Sequence, residues 1–236
     1  MARHRIAIVG NAPVRKDWGE IIDACDFVIR FNGCQTRRAG TGDRIDVLAL
    51  CNSAPSPTAR LMSFSHGDAF EAADEIWLTR NPDLYQTYLS EAEAKEFRYT
   101  DVYRADPTEY LSYLHGLGKS FRIFESDVEL RLRNAILEVA PRRRWLVPST
   151  GALALTHCLS HFAESEIVVT GFSFEGWAGH PWLAERRYLL NLAEAGRVTL
   201  LEDGFRWLSL PRRLYYLRKS YSRGYPVDGA LGNLPG

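Results

Sequence analysis

The chain has 236 residues, of which 46% are apolar and 25% charged, and its 29 basic residues balance 29 acidic ones. That length suits one large α/β domain or two small ones. Zero formal net charge gives no global field for nucleic acid, so nucleic acid is not an expected partner. The N-terminus runs straight from Met1-Ala2-Arg3-His4-Arg5 into an apolar segment, and no apolar run approaches a membrane span. Cys25, Cys34, Cys51 and Cys158 show no Cys-x-x-Cys spacing. Sparse thiols without a secretion signal predict a cytoplasmic protein with reduced cysteines.

In chain order, Arg5-Ile6-Ala7-Ile8-Val9-Gly10 is a short apolar run that ends in a turn at Gly10-Asn11-Ala12-Pro13, the pattern of a buried strand. Residues 17–24 suit a short helix, 26–32 a second strand broken by Gly33, and 45–50 a third. A strand, a connection and a strand at this spacing predict a mainly parallel sheet with helices on its faces. Residues 53–57 read as loop and 75–79 as a strand. Residues 82–97 and 106–115 read as helices, and 126–139 as a helix capped by Ser126 or Asp127. Pro141-Arg142-Arg143-Arg144 breaks that helix. A strand over 166–171, a helix over 181–195, a strand over 197–201 and a hairpin partner over 205–210 complete the series. With no internal repeat or linker, the chain reads as a single Rossmann-like α/β domain over 1–210, followed by a basic-aromatic tail over 211–236.

The stretch that organises the rest is Val147-Pro148-Ser149-Thr150-Gly151-Ala152-Leu153-Ala154-Leu155. Pro148 biases Val147 towards an extended conformation. Ser149 or Thr150 can then cap a helix running to about residue 162. First-turn N–H groups have no partner inside a helix, and Gly151 admits close approach, so this start is a ready anion site. Taken alone, Ser-Thr-Gly is an ordinary N-cap.

Other phosphate and hydrolase signals fail. Gly10-Asn11-Ala12-Pro13 is not G-x-G-x-x-G, and Gly118-Lys119-Ser120 has Tyr113 where a P-loop needs its first glycine. No nucleophile elbow is present. No Asp-x-Asp pair and no His, Cys and carboxylate spacing requires a metal, so no metal site and no cofactor are expected.

What remains is polar residues at the carboxyl ends of strands, where open α/β sheets place ligands. These are Asn11, Asn32, the Ser149, Thr150 and Gly151 turn, and Gly171, Phe172 and Ser173. An asparagine amide donates to phosphate without adding charge. In Gly179-His180-Pro181-Trp182, Pro181 suits the first helical position, which makes His180 the expected N-cap. The positive end of the helix dipole disfavours imidazolium, leaving a neutral ring suited to a general base. Glu185, about one turn on, orients the site or complements the dipole.

Together these segments resemble family 29 glycosyltransferases. Ile6-Ala7-Ile8-Val9-Gly10-Asn11 through Asp26-Phe27-Val28-Ile29-Arg30-Phe31-Asn32 is similar to the large sialylmotif of that family. Pro148-Ser149-Thr150-Gly151-Ala152-Leu153-Ala154-Leu155 through Val169-Thr170-Gly171-Phe172 resembles the small one, and His180 with Glu185 the H-x-x-x-x-E motif. The resemblance implies a variant nucleotide-sugar transferase fold and a CMP-activated acidic sugar, sialic acid or Kdo, used as substrate without a metal. It implies that Asn11 and Asn32 contact donor phosphate or ribose. Ser149, Thr150, Gly151 and the Gly171, Phe172 and Ser173 loop would hold the nucleotide. His180 would deprotonate the hydroxyl of a glycan or glycolipid acceptor, inverting the anomeric centre.

The membrane anchor and the motif-linking cysteine pair of the animal members are missing, which fits a bacterial cytosolic relative. The third motif has no counterpart between Gly171 and His180. Trp177, Tyr215 or a nearby arginine could stand in. Residues 206–225 carry Arg206, Arg212, Arg213, Arg218, Lys219 and Arg223 among tyrosines, and no acid. Such a segment suits either peripheral contact with the inner membrane or a solvated helix packing through its tyrosines. Two other functions share these features: a non-catalytic nucleotide- or glycan-binding relative, and another nucleotide-dependent enzyme such as a methyltransferase.

Overall fold

The computed structural model describes residues 4–201, apart from 35, 54–56, 95, 97–99, 105 and 141–146. Among the described residues the sheet has seven strands: β1 Arg5–Val9, β2 Phe27–Phe31, β3 Val47–Leu50, β4 Glu75–Leu78, β5 Ser120–Ile123, β6 Glu166–Thr170 and β7 Thr199–Leu200. Their order is β5-β4-β3-β2-β1-β6-β7, and every neighbouring pair is parallel. The helices are α1 Gly19–Asp23, α2 Pro57–Ser65, α3 Asp68–Ala72, α4 Tyr85–Ala94, α5 Pro107–Gly116, α6 Ser126–Val139, α7 Thr150–His161 and α8 Trp182–Glu194. The described residues have the expected α/β fold, a parallel sheet flanked by helices.

Strands buried on both faces need apolar residues at successive positions, and β1, β3 and β6 have them. On one face Leu48, Leu50, Ile76 and Leu78 pack with Leu61 of α2, Phe70 of α3 and Leu114 of α5. Ala7, Val9, Val28 and Val168 join Ile22 of α1. Trp77 points to the opposite face, where its ring meets His157 of α7 at 4.9 Å, and Phe27 meets Phe162 at 6.2 Å. His157 is 1% exposed. Burial first, then the neighbouring His161, pulls its imidazole down to about 4, so the ring is neutral at pH 7.

Most expected elements appear within a residue or two of their predicted ends. The structure adds α2, α3 and β5. Strand β5 is a four-residue edge strand of alternating exposure, too short and too polar to stand out as a buried run. Helix α6 is capped at Glu125 rather than at Ser126 or Asp127. Residues 82–97 split into a single 3-10 turn, Pro82–Leu84, and α4. The 141–144 break, the hairpin partner at 205–210, the 206–225 segment and the 211–236 tail lie outside the described residues. The four cysteines are free. Among the described residues no helix is long and apolar enough to cross a membrane.

Strand order reverses between β1 and β6, which makes their carboxyl ends the point where an open parallel sheet forms its crevice. Two glycines press together there. A Cβ on Gly10 would fall 2.1 Å from the Gly171 carbonyl oxygen, and one on Gly171, at φ +72°, 2.7 Å from the Gly10 oxygen.

Along the same edge a series of asparagines joins each strand tip to the next. Asn11 donates to the Phe31 carbonyl (2.9 Å) and Asn32 accepts from Cys51 N (3.0 Å). Asn52 donates to the Arg80 carbonyl (2.8 Å) and accepts from Arg80 N (3.0 Å), and Asn81 donates to Phe124 O (3.1 Å). These side chains satisfy backbone groups that the ladder leaves open where the strands end. Asn52→Ala removes two such bonds at a fully buried site and should cost about 1–3 kcal/mol. That is a fall in Tm of roughly 2–4 °C per kcal/mol for a domain of this size. An unchanged melting curve would show that the asparagine series contributes no stability.

Candidate active site

Helices α7 and α8 both begin at the carboxyl edge where Gly10 and Gly171 meet: Gly151 of α7 lies against Phe172, just past β6, and Glu185 of α8 bonds to Ser149. The start of α7 is held from three sides. His180 Nδ1 lies 2.7 Å from the Val147 carbonyl oxygen. Arg80, 3% exposed, donates to the Pro148 carbonyl and pairs with Glu129 at 2.5 Å. Glu185 accepts from Ser149 N and from Ser149 Oγ, each at 2.7 Å. Three successive residues of one turn are thus each fixed by a side chain from a different part of the chain.

Ser149 is the N-cap of α7, and its Oγ accepts from Ala152 N at 3.2 Å. Because Ser149 N and Ala152 N are engaged in this way, the N–H groups of Thr150 and Gly151 are the ones at the tip for an anion. Gly151 is small for a local reason: a Cβ there would sit 2.8 Å from Phe172 Cε1. Phe172 also reaches Gly10 and meets Phe31 edge-on at 6.0 Å. Gly10, Gly151, Gly171 and Phe172 therefore form one close-packed strip across the reversal of strand order. Asn11 joins it through Phe31, whereas Ser173 is exposed beside it. Asn32, at φ +50°, commits its oxygen to Cys51, so its NH2 group is the end left for a ligand.

His180 is not the N-cap. Helix α8 starts at Trp182 with Pro181 in the cap position, which puts His180 one residue further out. What keeps the ring neutral is chiefly burial. Trp177 and Trp182 flank it edge-on at 4.9 and 4.8 Å. Desolvation lowers its pKa to about 4, the Val147 hydrogen bond opposes that fall, and the Arg80 charge adds to it. A carbonyl can only accept, so Nδ1 carries the proton and Nε2 keeps a free lone pair.

Glu185 is 2% exposed and enclosed by Ser149, so it acts on the site through that residue. Burial raises its carboxyl to about 7 against the two Ser149 bonds and Arg80, which pull it down. Arg80, Asn52 and Asn81 were not singled out by the sequence reading. Their signal was a polar residue one to three positions past an apolar run, as in Leu50-Cys51-Asn52 and Leu78-Thr79-Arg80-Asn81.

The fold is that of a sialyltransferase-like α/β protein. A mammalian sialyltransferase superposes over 85% of this chain and 70% of its own, with a TM-score of 0.50 and 18% identity. A Campylobacter jejuni sialyltransferase in complex with a substrate analogue gives a TM-score of 0.48 over 83% and 78% of the two chains, at 11% identity. No family model matches the sequence. The urease operon 23 kDa accessory protein of Rhizobium meliloti (strain 1021) is 30% identical over 203 residues, covering 83% of this chain and 92% of its own. The chain belongs to that protein's family.

Two titrating groups of the site, buried Glu185 and half-buried His180, make opposite contributions to stability. A carboxyl raised from 4.5 to about 7 on folding gives stability that is fully present below pH 4.5 and lost as pH rises through about 7. An imidazole lowered from 6.5 to about 4 makes stability rise with pH across that interval. Glu185→Gln removes only the first contribution. The unfolding free energy of the variant relative to the native protein should therefore climb between pH 4.5 and 7, as read from denaturant melts at several pH values. A pH-independent difference would show that Glu185 titrates normally.

Proposed function

We propose that the chain is an inverting, metal-independent glycosyltransferase that moves an ulosonic acid, sialic acid or Kdo, from its CMP-linked donor to a glycan hydroxyl. The observation that carries this reading is the bond from His180 Nδ1 to the Val147 carbonyl. It fixes a neutral imidazole, with Nε2 as its basic nitrogen, to the same turn that presents the Thr150 and Gly151 N–H groups. A base and an anion cradle built on one rigid segment are what displacement at an anomeric carbon beside a phosphate requires.

In the proposed step, the acceptor oxygen attacks the anomeric carbon from the face opposite CMP. The bond to the CMP phosphate oxygen breaks, and the hydroxyl proton passes to His180 Nε2. Thr150 and Gly151 N–H groups, with the Asn32 amide, meet the phosphate charge as it develops. Glu185 and Arg80 hold the turn in place and touch no substrate. A donor that brings a carboxylate and a phosphate near the ring raises the His180 pKa towards neutrality, where a base works best. The mammalian sialyltransferase likeness supports the fold of this reading, and the family relative is named an accessory protein.

That name favours a second reading, in which the chain binds the nucleotide without turnover. The two part on one assay. On the transferase reading, purified protein releases CMP from CMP-sialate or CMP-Kdo. His180→Ala keeps CMP affinity while turnover falls at least ~100-fold. For the free enzyme, kcat/KM should hold steady from neutral pH down and decline only as pH falls through about 4. CMP binding without release from either donor would support the binding module. Thermal stabilisation by S-adenosylhomocysteine or UDP, and not by CMP, would overturn both.

A further inference from the structure

Helix α7 carries a second chemical feature at its other end. His157 and His161 are four residues apart, so they share one face of the helix, and their rings stack with centroids 4.1 Å apart. Glu125, the N-cap of α6, reaches both. Its Oε2 lies 3.6 Å from His157 Nδ1 and 3.7 Å from His161 Nε2. The three ligand atoms lie within 4.8 Å of one another.

These distances are too long for hydrogen bonds, so His157 Nδ1 is buried with no hydrogen-bond partner. The two Glu125 distances come close to another geometry, and the spread of up to 4.8 Å closes with a small side-chain adjustment. Two donor atoms on one tetrahedral ion, each about 2.0–2.2 Å from it, are separated by roughly 3.3–3.6 Å. The second ring nitrogen of His161 is also arranged for ligation. His161 Nδ1 faces the His157 carbonyl at 3.0 Å, which places the proton on Nδ1 and leaves the Nε2 lone pair facing Glu125. Asp127, on the same helix as Glu125, is paired with Arg131, so Glu125 alone is left to the imidazoles.

We propose that Glu125, His157 and His161 bind one borderline divalent cation, of the Zn2+, Ni2+ or Co2+ type, at the carboxyl end of α7. Two imidazoles and a carboxylate suit such ions better than Mg2+ or Ca2+, which prefer all-oxygen sets. Three protein ligands leave a position open to water, and Glu125 (53% exposed) and His161 (40%) form the outer side of the site. His157 and His161 lie seven and eleven residues beyond Thr150, roughly 10–17 Å along the helix axis, so the ion stands apart from the proposed transfer chemistry. The two histidines stand four residues apart on α7, and the third ligand comes from the start of α6.

The test is titration of tag-free, EDTA-stripped full-length protein with Co2+, followed by visible absorption, and with Zn2+ and Ni2+ by calorimetry. One ion per chain and a Co2+ spectrum of low coordination number are expected. His161→Ala and Glu125→Gln, both at exposed positions, should weaken binding at least ~10-fold without changing the circular dichroism spectrum. Native protein that takes up no ion, or binds one no more tightly than both variants, would overturn the proposal. So would a preference for Mg2+ over Zn2+.

Discussion

The structure depends on the turn at Val147, Pro148 and Ser149 being held in one geometry. Its backbone groups bond to His180, Arg80 and Glu185, which come from the approach to α8, the end of β4 and the body of α8. Burying an arginine and two carboxyls is costly unless each is hydrogen-bonded, and here every bond closes on this turn or on a partner beside it. Arg80 is neutralised by Glu129 and bound to Pro148, and Glu185 takes two bonds from Ser149. The reward is positional. Helix α7 enters the core through Leu153, Ala154, Leu155 and Cys158, all 2% exposed or less, and its tip is delivered to a fixed place at the carboxyl edge.

That place has its own constraints. The Gly10 and Gly171 contact tolerates no Cβ, and Phe172 fills the space that a side chain on residue 151 would take. Asparagines span the tips from β1 to β5, so the crevice side of the sheet is braced by side-chain amides where the strands run out. On the proposed transferase reading, dipoles preorganised in this way would meet developing charge without rearranging. The same bracing limits what the amides can do. Asn11 gives one N–H to Phe31, and Asn32 gives its oxygen to Cys51, so each has a structural duty before any ligand arrives.

Much of this was legible in the sequence because it is local. Apolar runs ending in Gly10-Asn11 and Phe31-Asn32 mark strand tips, and Pro148-Ser149-Thr150-Gly151 marks a capped helix. Glu185 five residues after His180 was visible as a pair, but its bond to Ser149 joins positions 36 apart and no periodicity encodes it. Arg80 was missed because a lone arginine past a strand reads as solvated, and only the fold surrounds it with Glu129 and Pro148. Reading His180 as the cap failed by one residue. Its neutrality survives for a different reason, since burial between two tryptophans replaces the dipole argument.

A sialyltransferase-like fold in a family with an accessory protein shows why a fold does not settle an activity, which resides in the site built on it. The central claim is that the tip of α7 receives a cytidine monophosphate. It is tested most directly by amide chemical shifts during titration of isotopically labelled protein with CMP. The account predicts that the Thr150 and Gly151 N–H resonances move furthest and downfield, and that those of Gly116 and Gly118, at the far end of α5, stay in place. Saturating CMP that leaves Thr150 and Gly151 unshifted would contradict it.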